Sequence, residues 1–263
     1  VYPELDIGPL TLQTFGLMFA LAFLAAGALI AKRLKEIGRP VDWAYEVAFA
    51  ALVGGIVGSR VYFLVENFDS VKDDLLGNLF SGSGLVWYGG AIGGALAVLL
   101  WAWYRGFLGL ALLDLVAPAL ALGYAIGRCG CQLSGDGDYG KAWDGPWAMS
   151  YPDGTVPTDE TVHPTPVYET LAMGLGAWML WQLRDRFRTG VLFAIYLVYA
   201  GAERFLVEFL RRNHEVALGL TAAQLESLAM VSVGTAWIFA VRRRHGSLSP
   251  VTPTEPIRHP VGP

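Results

Sequence analysis

Gly127-Arg-Cys-Gly-Cys-Gln-Leu-Ser-Gly-Asp-Gly-Asp-Tyr-Gly140 follows directly on a long apolar run, Ala111 to Ile126, and gathers Arg128, Asp136, Asp138 and five glycines into fourteen residues. An arginine at the mouth of a membrane helix, followed by a glycine-rich loop, can hold an anion. Its guanidinium offers a fixed fork of donors to a phosphate, and glycines let backbone N–H groups approach closely. The same residues also read as a helix C-cap followed by a turn. The loop alone does not separate these readings, so the rest of the chain has to.

The 263 residues are 54% hydrophobic and 16% charged, with a mean hydropathy of +0.44. A soluble domain carries roughly 25% charge, so the composition points to a membrane protein. The net charge of −4 is mild, and no basic, aromatic-interleaved patch suited to nucleic acid is present. Residue 1 is Val rather than Met, consistent with a trimmed N-terminus, and no cleavable signal peptide is expected. Cys129 and Cys131 stand one residue apart, too close for an ordinary disulfide, and two thiols alone make a poor metal site. They read as small helix-end residues; no metal and no cofactor is expected.

Seven apolar runs approach the ~20 residues that a spanning helix needs: approximately Leu10–Ala31, Trp43–Val65, Leu85–Tyr104, Leu110–Gly127, Pro166–Leu183, Val191–Leu210 and Leu220–Val241. The fold class expected is an all-α polytopic membrane protein of about seven transmembrane helices. Residues 1–244 form one transmembrane domain with a loop at about 129–165 on the outer side, and residues 245–263 a flexible cytoplasmic tail. Lys32, Arg33, Lys35, Arg39, Arg105, Arg184, Arg186, Arg188 and Arg242 to Arg244 fall in loops on one side, which the positive-inside bias assigns as cytoplasmic. Glu66, Asp69, Asp73, Asp74 and the 129–165 loop fall on the other. The N-terminus is therefore expected outside and the C-terminus inside. Arg211 and Arg212 break the rule, and anionic lipid headgroups are their expected partner.

Charges within the spans are costly, about 2.5–3.5 kcal/mol each at a helix centre on insertion scales. Arg60 lies in the second run, Arg128 ends the fourth, and Glu203, Arg204 and Glu208 lie in the sixth. Arg204, Glu208 and Arg211 fall at i, i+4 and i+7 and so share a helix face. A structural Arg–Glu pair explains Arg204 with Glu208. It does not explain why Arg60, Arg128, Arg204, Arg211 and Arg212 all fall in the outer half, which suggests a shared polar pocket opening outward. On the same side, the glycines of Gly84-Leu-Val-Trp-Tyr-Gly-Gly-Ala-Ile-Gly-Gly94 read first as close helix packing. In His163-Pro-Thr-Pro-Val-Tyr-Glu169, Thr165 is a candidate N-cap and Pro166 a first-turn proline. There Glu169 reads as dipole compensation and His163 as a hydrogen-bonding spacer.

Taken in order, these stretches resemble the bacterial prolipoprotein diacylglyceryl transferase family. The resemblance rests on Trp87-Tyr-Gly-Gly-Ala-Ile-Gly-Gly94, on Gly127-Arg-Cys-Gly130 with Gly135-Asp136 and Tyr139-Gly140, on His163-Pro-Thr-Pro-Val-Tyr-Glu169, and on Arg204-Phe-Leu-Val-Glu-Phe-Leu-Arg211. Leu12-Gln-Thr-Phe-Gly-Leu-Met18 and Leu220-Thr-Ala-Ala-Gln224 also fit, so the match runs from about residue 8 to 241. It implies a cofactor-free enzyme of the bacterial cytoplasmic (inner) membrane with its active site outward. Such an enzyme moves the diacylglyceryl group of phosphatidylglycerol onto the lipobox cysteine thiol of a prolipoprotein and releases glycerol-1-phosphate. Its partners would be phosphatidylglycerol, the lipobox of a prolipoprotein signal peptide and membrane lipids.

The resemblance further implies Arg128 and Arg204 as the functional pair, with Asp136 and Glu208 orienting them and Tyr88 in the catalytic set. Arg60, Gly89, Gly90, Gly140, His163, Tyr168, Glu169 and Arg211 are the expected substrate-binding residues. Three positions depart from well-studied members: Tyr88 stands at a histidine position, Cys131 at an asparagine and Phe15 at a tyrosine. The proton acceptor for the thiol is thus left among Tyr88 tuned by Arg128, Asp136 and water. The departures also motivate a second reading, an offshoot with another lipid donor or acceptor. A third is a seven-helix transporter or lipid-binding protein that holds an anion without chemistry.

Overall fold

A computed structural model describes residues 1–8, 10–68 and 86–250. Asp69, Asp73 and Asp74 of the acidic outer loop, Gly84 and Leu85 at the expected start of the third span, and the tail from Val251 onward lie outside the described residues. Among those described are seven helices: α1 (Thr14–Glu36), α2 (Trp43–Glu66), α3 (Trp87–Tyr104), α4 (Leu110–Ser134), α5 (Thr165–Leu183), α6 (Val191–Glu208) and α7 (Ala222–His245). Four of them, α1, α2, α4 and α7, are long and apolar enough to cross a membrane.

The expectation of an all-α chain needs amendment. Three two-stranded antiparallel hairpins punctuate the helices: β1 (Glu4–Ile7) with β2 (Leu10–Gln13), β3 (Met149–Tyr151) with β4 (Thr158–Val162), and β5 (Glu215–Ala217) with β6 (Leu220–Thr221). Leu10 therefore opens a strand rather than the first helix, and Leu220 likewise. Hydropathy marks where apolar residues stop. It does not mark where helical hydrogen bonding stops, so α1 runs on through Lys32, Arg33 and Lys35, and α7 through Arg242 to Arg244.

The largest displacement is in α4. The apolar pattern ends at Gly127, but the helix continues to Ser134, where Gly135 takes the left-handed conformation (φ 59°) and its N–H closes on the Cys131 carbonyl. Thr155 and Val156 then donate to the Ser134 and Gly135 carbonyls, satisfying the orphan acceptors of the last turn. Arg128, Cys129 and Cys131 are thus helical residues, and the loop begins at Gly135.

Helices α2 and α3 form the tightest pair. A Cβ on Gly58 would lie 2.3 Å from the Gly89 carbonyl oxygen, and one on Gly93 would lie 2.3 Å from that of Gly54. Small residues four apart on both helices allow this approach. On the other side of the bundle, Asp114 of α4 accepts from the backbone N–H of Gly190 (2.6 Å) and Phe193 (2.9 Å), holding a carboxylate at the N-terminus of α6.

The basic helix ends meet at one end of the bundle. Glu36 binds Arg33 and Arg184, Arg33 reaches Asp185, Glu46 binds Arg105, and Arg188 N–H donates to Leu248. A cavity of about 610 Å³ opens there between Arg188, Trp237 and Arg244. The ionisable cluster described next lies at the opposite end.

Candidate active site

Glu169 sits in the second turn of α5 and is fully buried. A carboxylate there is costly unless paired, and it is paired from three directions. Tyr124 of α4 donates to Oε1 at 2.8 Å. Arg128 Nε and Arg211 Nη1 each approach Oε2 at 3.3 Å, and Arg204 Nη1 lies 3.7 Å from Oε1. Arg128 and, from a stretch far along the chain, Arg204 and Arg211 therefore converge on one acid.

Two further carboxylates complete the cluster. Asp138 bridges Arg128 Nη1 and Arg211 Nη2 with one oxygen each. Burial pushes the Asp138 carboxyl up, but the two guanidinium charges outweigh it and hold the group below the ordinary carboxylate range. Glu208 lies 2.7 Å from Arg204 Nη1 through Oε2, while its Oε1 accepts from Asn213 and from Thr221, both at 2.7 Å. That Arg204–Glu208 contact is ionic rather than an aligned hydrogen bond: Arg204 Nη1 and Glu208 Oε2 are buried with no hydrogen-bond partner among the described residues. The Arg204 side chain keeps 21% of its surface exposed. Thr221 is also the N-cap of α7, in a capping box with Gln224, so Glu208 couples α6 to the start of α7.

Several expectations change. Asp138, rather than Asp136, forms the ion pairs with Arg128 and Arg211, and the Asp136 Oδ1 accepts from the Asp138 N–H at 3.2 Å. Two acids two residues apart in a glycine-rich loop are equivalent in sequence, and only the turn decides which faces Arg128. Arg211 was expected to meet lipid headgroups. Helix α6 ends at Glu208, the chain turns inward, and Arg211 is buried in the cluster. Arg212 instead binds Glu160 and the Gly140 carbonyl and lies over the Tyr139 ring. Arg60 is buried on α2.

Thr165 is the first residue of α5 rather than its N-cap, and its hydroxyl donates to the Asp138 carbonyl at 2.6 Å. Gly140 is a crossing point: a Cβ there would lie 2.5 Å from the Leu210 carbonyl oxygen and 2.9 Å from His163 Cβ. His163 stacks on Trp143 (4.3 Å, 10°), and its Nδ1 lies 3.3 Å from the Tyr168 hydroxyl, to which Trp147 Nε1 donates at 2.7 Å. Burial holds His163 below its ordinary value. Gly89 and Gly90 face α2, where a Cβ on Gly89 would strike Tyr62 Cβ at 2.3 Å.

Tyr88 of α3 donates to Glu226 Oε1 of α7 at 2.8 Å. Cys129 and Cys131 are both free thiols, and Cys131 Sγ lies 3.8 Å from Arg128 Nη1. The ligand atoms of Cys131, Asp136 and Asp138 come within 4.8 Å of one another. Both Asp138 oxygens are engaged by guanidinium groups.

A buried cluster of arginines and carboxylates at one end of an apolar bundle can bind a phosphate and stabilise charge that develops on it. Comparison with known proteins bears on which phosphate. The family model described as "Prolipoprotein diacylglyceryl transferase" matches residues 4–240. The chain is 33% identical over 239 residues to the phosphatidylglycerol–prolipoprotein diacylglyceryl transferase of Clostridium tetani, covering 89% of this chain and 94% of the relative. It is 33% identical over 231 residues to the protein of the same name from Leptospira interrogans (78% and 73%). With the Aliivibrio salmonicida protein of that name it shares 32% over 254 residues (89% and 86%). The chain belongs to the prolipoprotein diacylglyceryl transferase family.

Proposed function

We propose that this protein transfers the diacylglyceryl group of phosphatidylglycerol to the lipobox cysteine thiol of prolipoproteins, the first step of lipoprotein maturation. The thiol loses its proton, its sulfur attacks the glyceryl carbon, the carbon–oxygen bond to phosphate breaks, and glycerol-1-phosphate departs. The observation that carries this reading is the convergence of Arg128, Arg204 and Arg211 on Glu169, with a buried Arg204 donor that has no hydrogen bond among the described residues. Preorganised donors aimed at a leaving phosphate lower the barrier most where water is excluded.

In this reading Arg204 and Arg128, the less deeply buried of the three, meet the phosphate. Arg211 and the carboxylates of Asp138, Glu169 and Glu208 hold them in place. Asp136 acts through Asp138, and Gly140 fixes the loop that carries it. His163 and Tyr168 sit with Trp143 and Trp147 on the same side, where the acceptor peptide would approach.

The protein would span the bacterial inner membrane seven times, residues 1–244 forming one domain with the N-terminus outside and the C-terminus cytoplasmic. The gathering of Arg33, Arg105, Arg184 and Arg188 at one end of the bundle supports that orientation. Purified protein in detergent, supplied with phosphatidylglycerol and a synthetic lipobox peptide, should release glycerol-1-phosphate only when the peptide carries its cysteine. Release independent of that cysteine, or none from folded protein, would overturn the reading.

A further inference from the structure

We infer that the cavity at the basic end of the bundle binds a phosphate oxyanion, carried by an anionic lipid headgroup or present as free phosphate. The chain builds this space deliberately. Helix α7 stops at His245 because Gly246 takes the left-handed conformation (φ 69°), and its N–H closes on the Arg242 carbonyl at 2.8 Å. The chain then turns back and is pinned to the α5–α6 connection. Arg188 N–H donates to the Leu248 carbonyl at 2.9 Å, and Arg188 Nε donates to the Ser247 carbonyl at 3.2 Å. Pro250 on this strap, Leu110 at the start of α4, and Trp237 and Arg244 of α7 wall the cavity with Arg188. Gly190 lets two of these walls close together: a Cβ there would lie 3.0 Å from Leu110 Cδ1 and 3.2 Å from Trp237 Cζ2.

Its volume of about 610 Å³ falls in the range of small-molecule sites. Arg188 and Arg244 line it, and no carboxylate does. Elsewhere at this end the arginines are neutralised: Arg33 and Arg184 by Glu36, and Arg105 by Glu46. The Arg244 guanidinium has no ion pair among the described residues. Arg188 is held by its two bonds to the strap, so its fork of donors is oriented before any ligand arrives. A pair of guanidinium groups facing one space without an acid suits a doubly coordinated oxyanion. The opposite wall of Leu110, Trp237 and Val241 is apolar and seats the carbon skeleton that an ester carries. Basic spaces between spanning helices take anionic headgroups in this way. A general bias of positive charge to one side explains three consecutive arginines at 242–244. It does not explain why Arg244 lines the cavity with Arg188 while Arg242 and Arg243 do not.

The test uses the full-length protein and its Arg188→Gln, Arg244→Gln and Arg243→Gln variants in detergent. Arg244→Gln breaks no ion pair among the described residues, so its Tm without ligand should match that of the unmodified protein. One arm adds dioleoyl phosphatidic acid, with zwitterionic dioleoyl phosphatidylcholine as control, and counts bound lipid by native mass spectrometry. The other adds inorganic phosphate at constant ionic strength and follows the rise in Tm. The arginine cluster at the opposite end can also take phosphate, so the diagnostic quantity is the share of binding that the variants lose. Arg188→Gln and Arg244→Gln should each weaken that share about fivefold, and Arg243→Gln by less than about twofold. This pattern in the phosphatidic acid arm alone identifies a lipid headgroup as the source, and in the phosphate arm a free phosphate. Binding that Arg244→Gln leaves unchanged in both arms would overturn the inference, as would an equal loss in Arg243→Gln, which marks diffuse surface charge. The transfer reaction plays no part in this readout, so the two readings fail separately.

Discussion

Arg128, Arg204 and Arg211 share three carboxylates, so no single substitution in the cluster is electrostatically neutral. Arg128→Ala and Arg204→Ala each leave Glu169 short of a counter-ion and remove a phosphate donor. Each should cut transfer by at least about 10²-fold, measured as glycerol-1-phosphate release, while the protein still reaches the membrane. Full activity in either variant would remove the phosphate argument.

Asp138 offers a test through pH. Its folded-state pKa lies below the unfolded value of about 3.9. The stability it contributes is therefore complete above that value and is lost as pH falls through the folded pKa. Asp138→Asn should lower stability at neutral pH by about 1.5–3 kcal/mol and flatten the acid limb of thermal unfolding in detergent. Asp136→Asn should leave that limb in place. An identical acid response in both variants would mean that the loop, rather than the Asp138 charge, holds Arg128 and Arg211.

At the scale of elements, the bundle depends on where helices can approach and where they end. The α2–α3 contact leaves no room at Gly58, Gly89 or Gly93, whereas a Cβ on Gly90 would meet Gly55 only at 3.5 Å. Gly89→Ala should therefore destabilise the protein by about 1–3 kcal/mol or more through overpacking, seen as a lower Tm. Gly90→Ala should leave Tm nearly unchanged. Loss of transfer in Gly90→Ala at an unchanged Tm would return that glycine to the substrate site. The extension of α4 to Ser134 matters equally, since it carries Arg128 on a rigid helix rather than in a loop. A site borne on helices holds its geometry more closely than one borne on loops.

For the molecule as a whole, the separation of its two ends is the organising fact. One end carries Arg33, Arg105 and Arg184 in surface ion pairs, each worth little, and Arg188, whose Nε donates to the Ser247 carbonyl. The other carries the buried cluster. A cysteine placed at Ser247 should be labelled by a membrane-impermeant maleimide only after cells are opened, and one at Leu218, exposed at the tip of the β5–β6 hairpin, in intact cells. The reverse pattern would invert the proposed topology.

Much of this was legible in the sequence. Apolar run lengths located the helices, with ends up to seven residues out where α4 runs on from Gly127 to Ser134, because helical hydrogen bonding does not stop where apolar residues do. The order of the Arg128, His163 and Arg204 stretches carried the family resemblance. What the chain could not reveal in one dimension was pairing. Asp138 in place of Asp136, Arg211 turned inward, Glu169 as the hub of three arginines and Glu226 beneath Tyr88 all depend on residues 10 to 138 positions apart meeting in space. Hydropathy and helical periodicity are local properties of the chain, whereas a buried charge is satisfied by whichever partner the packed helices deliver, and only tertiary structure decides that.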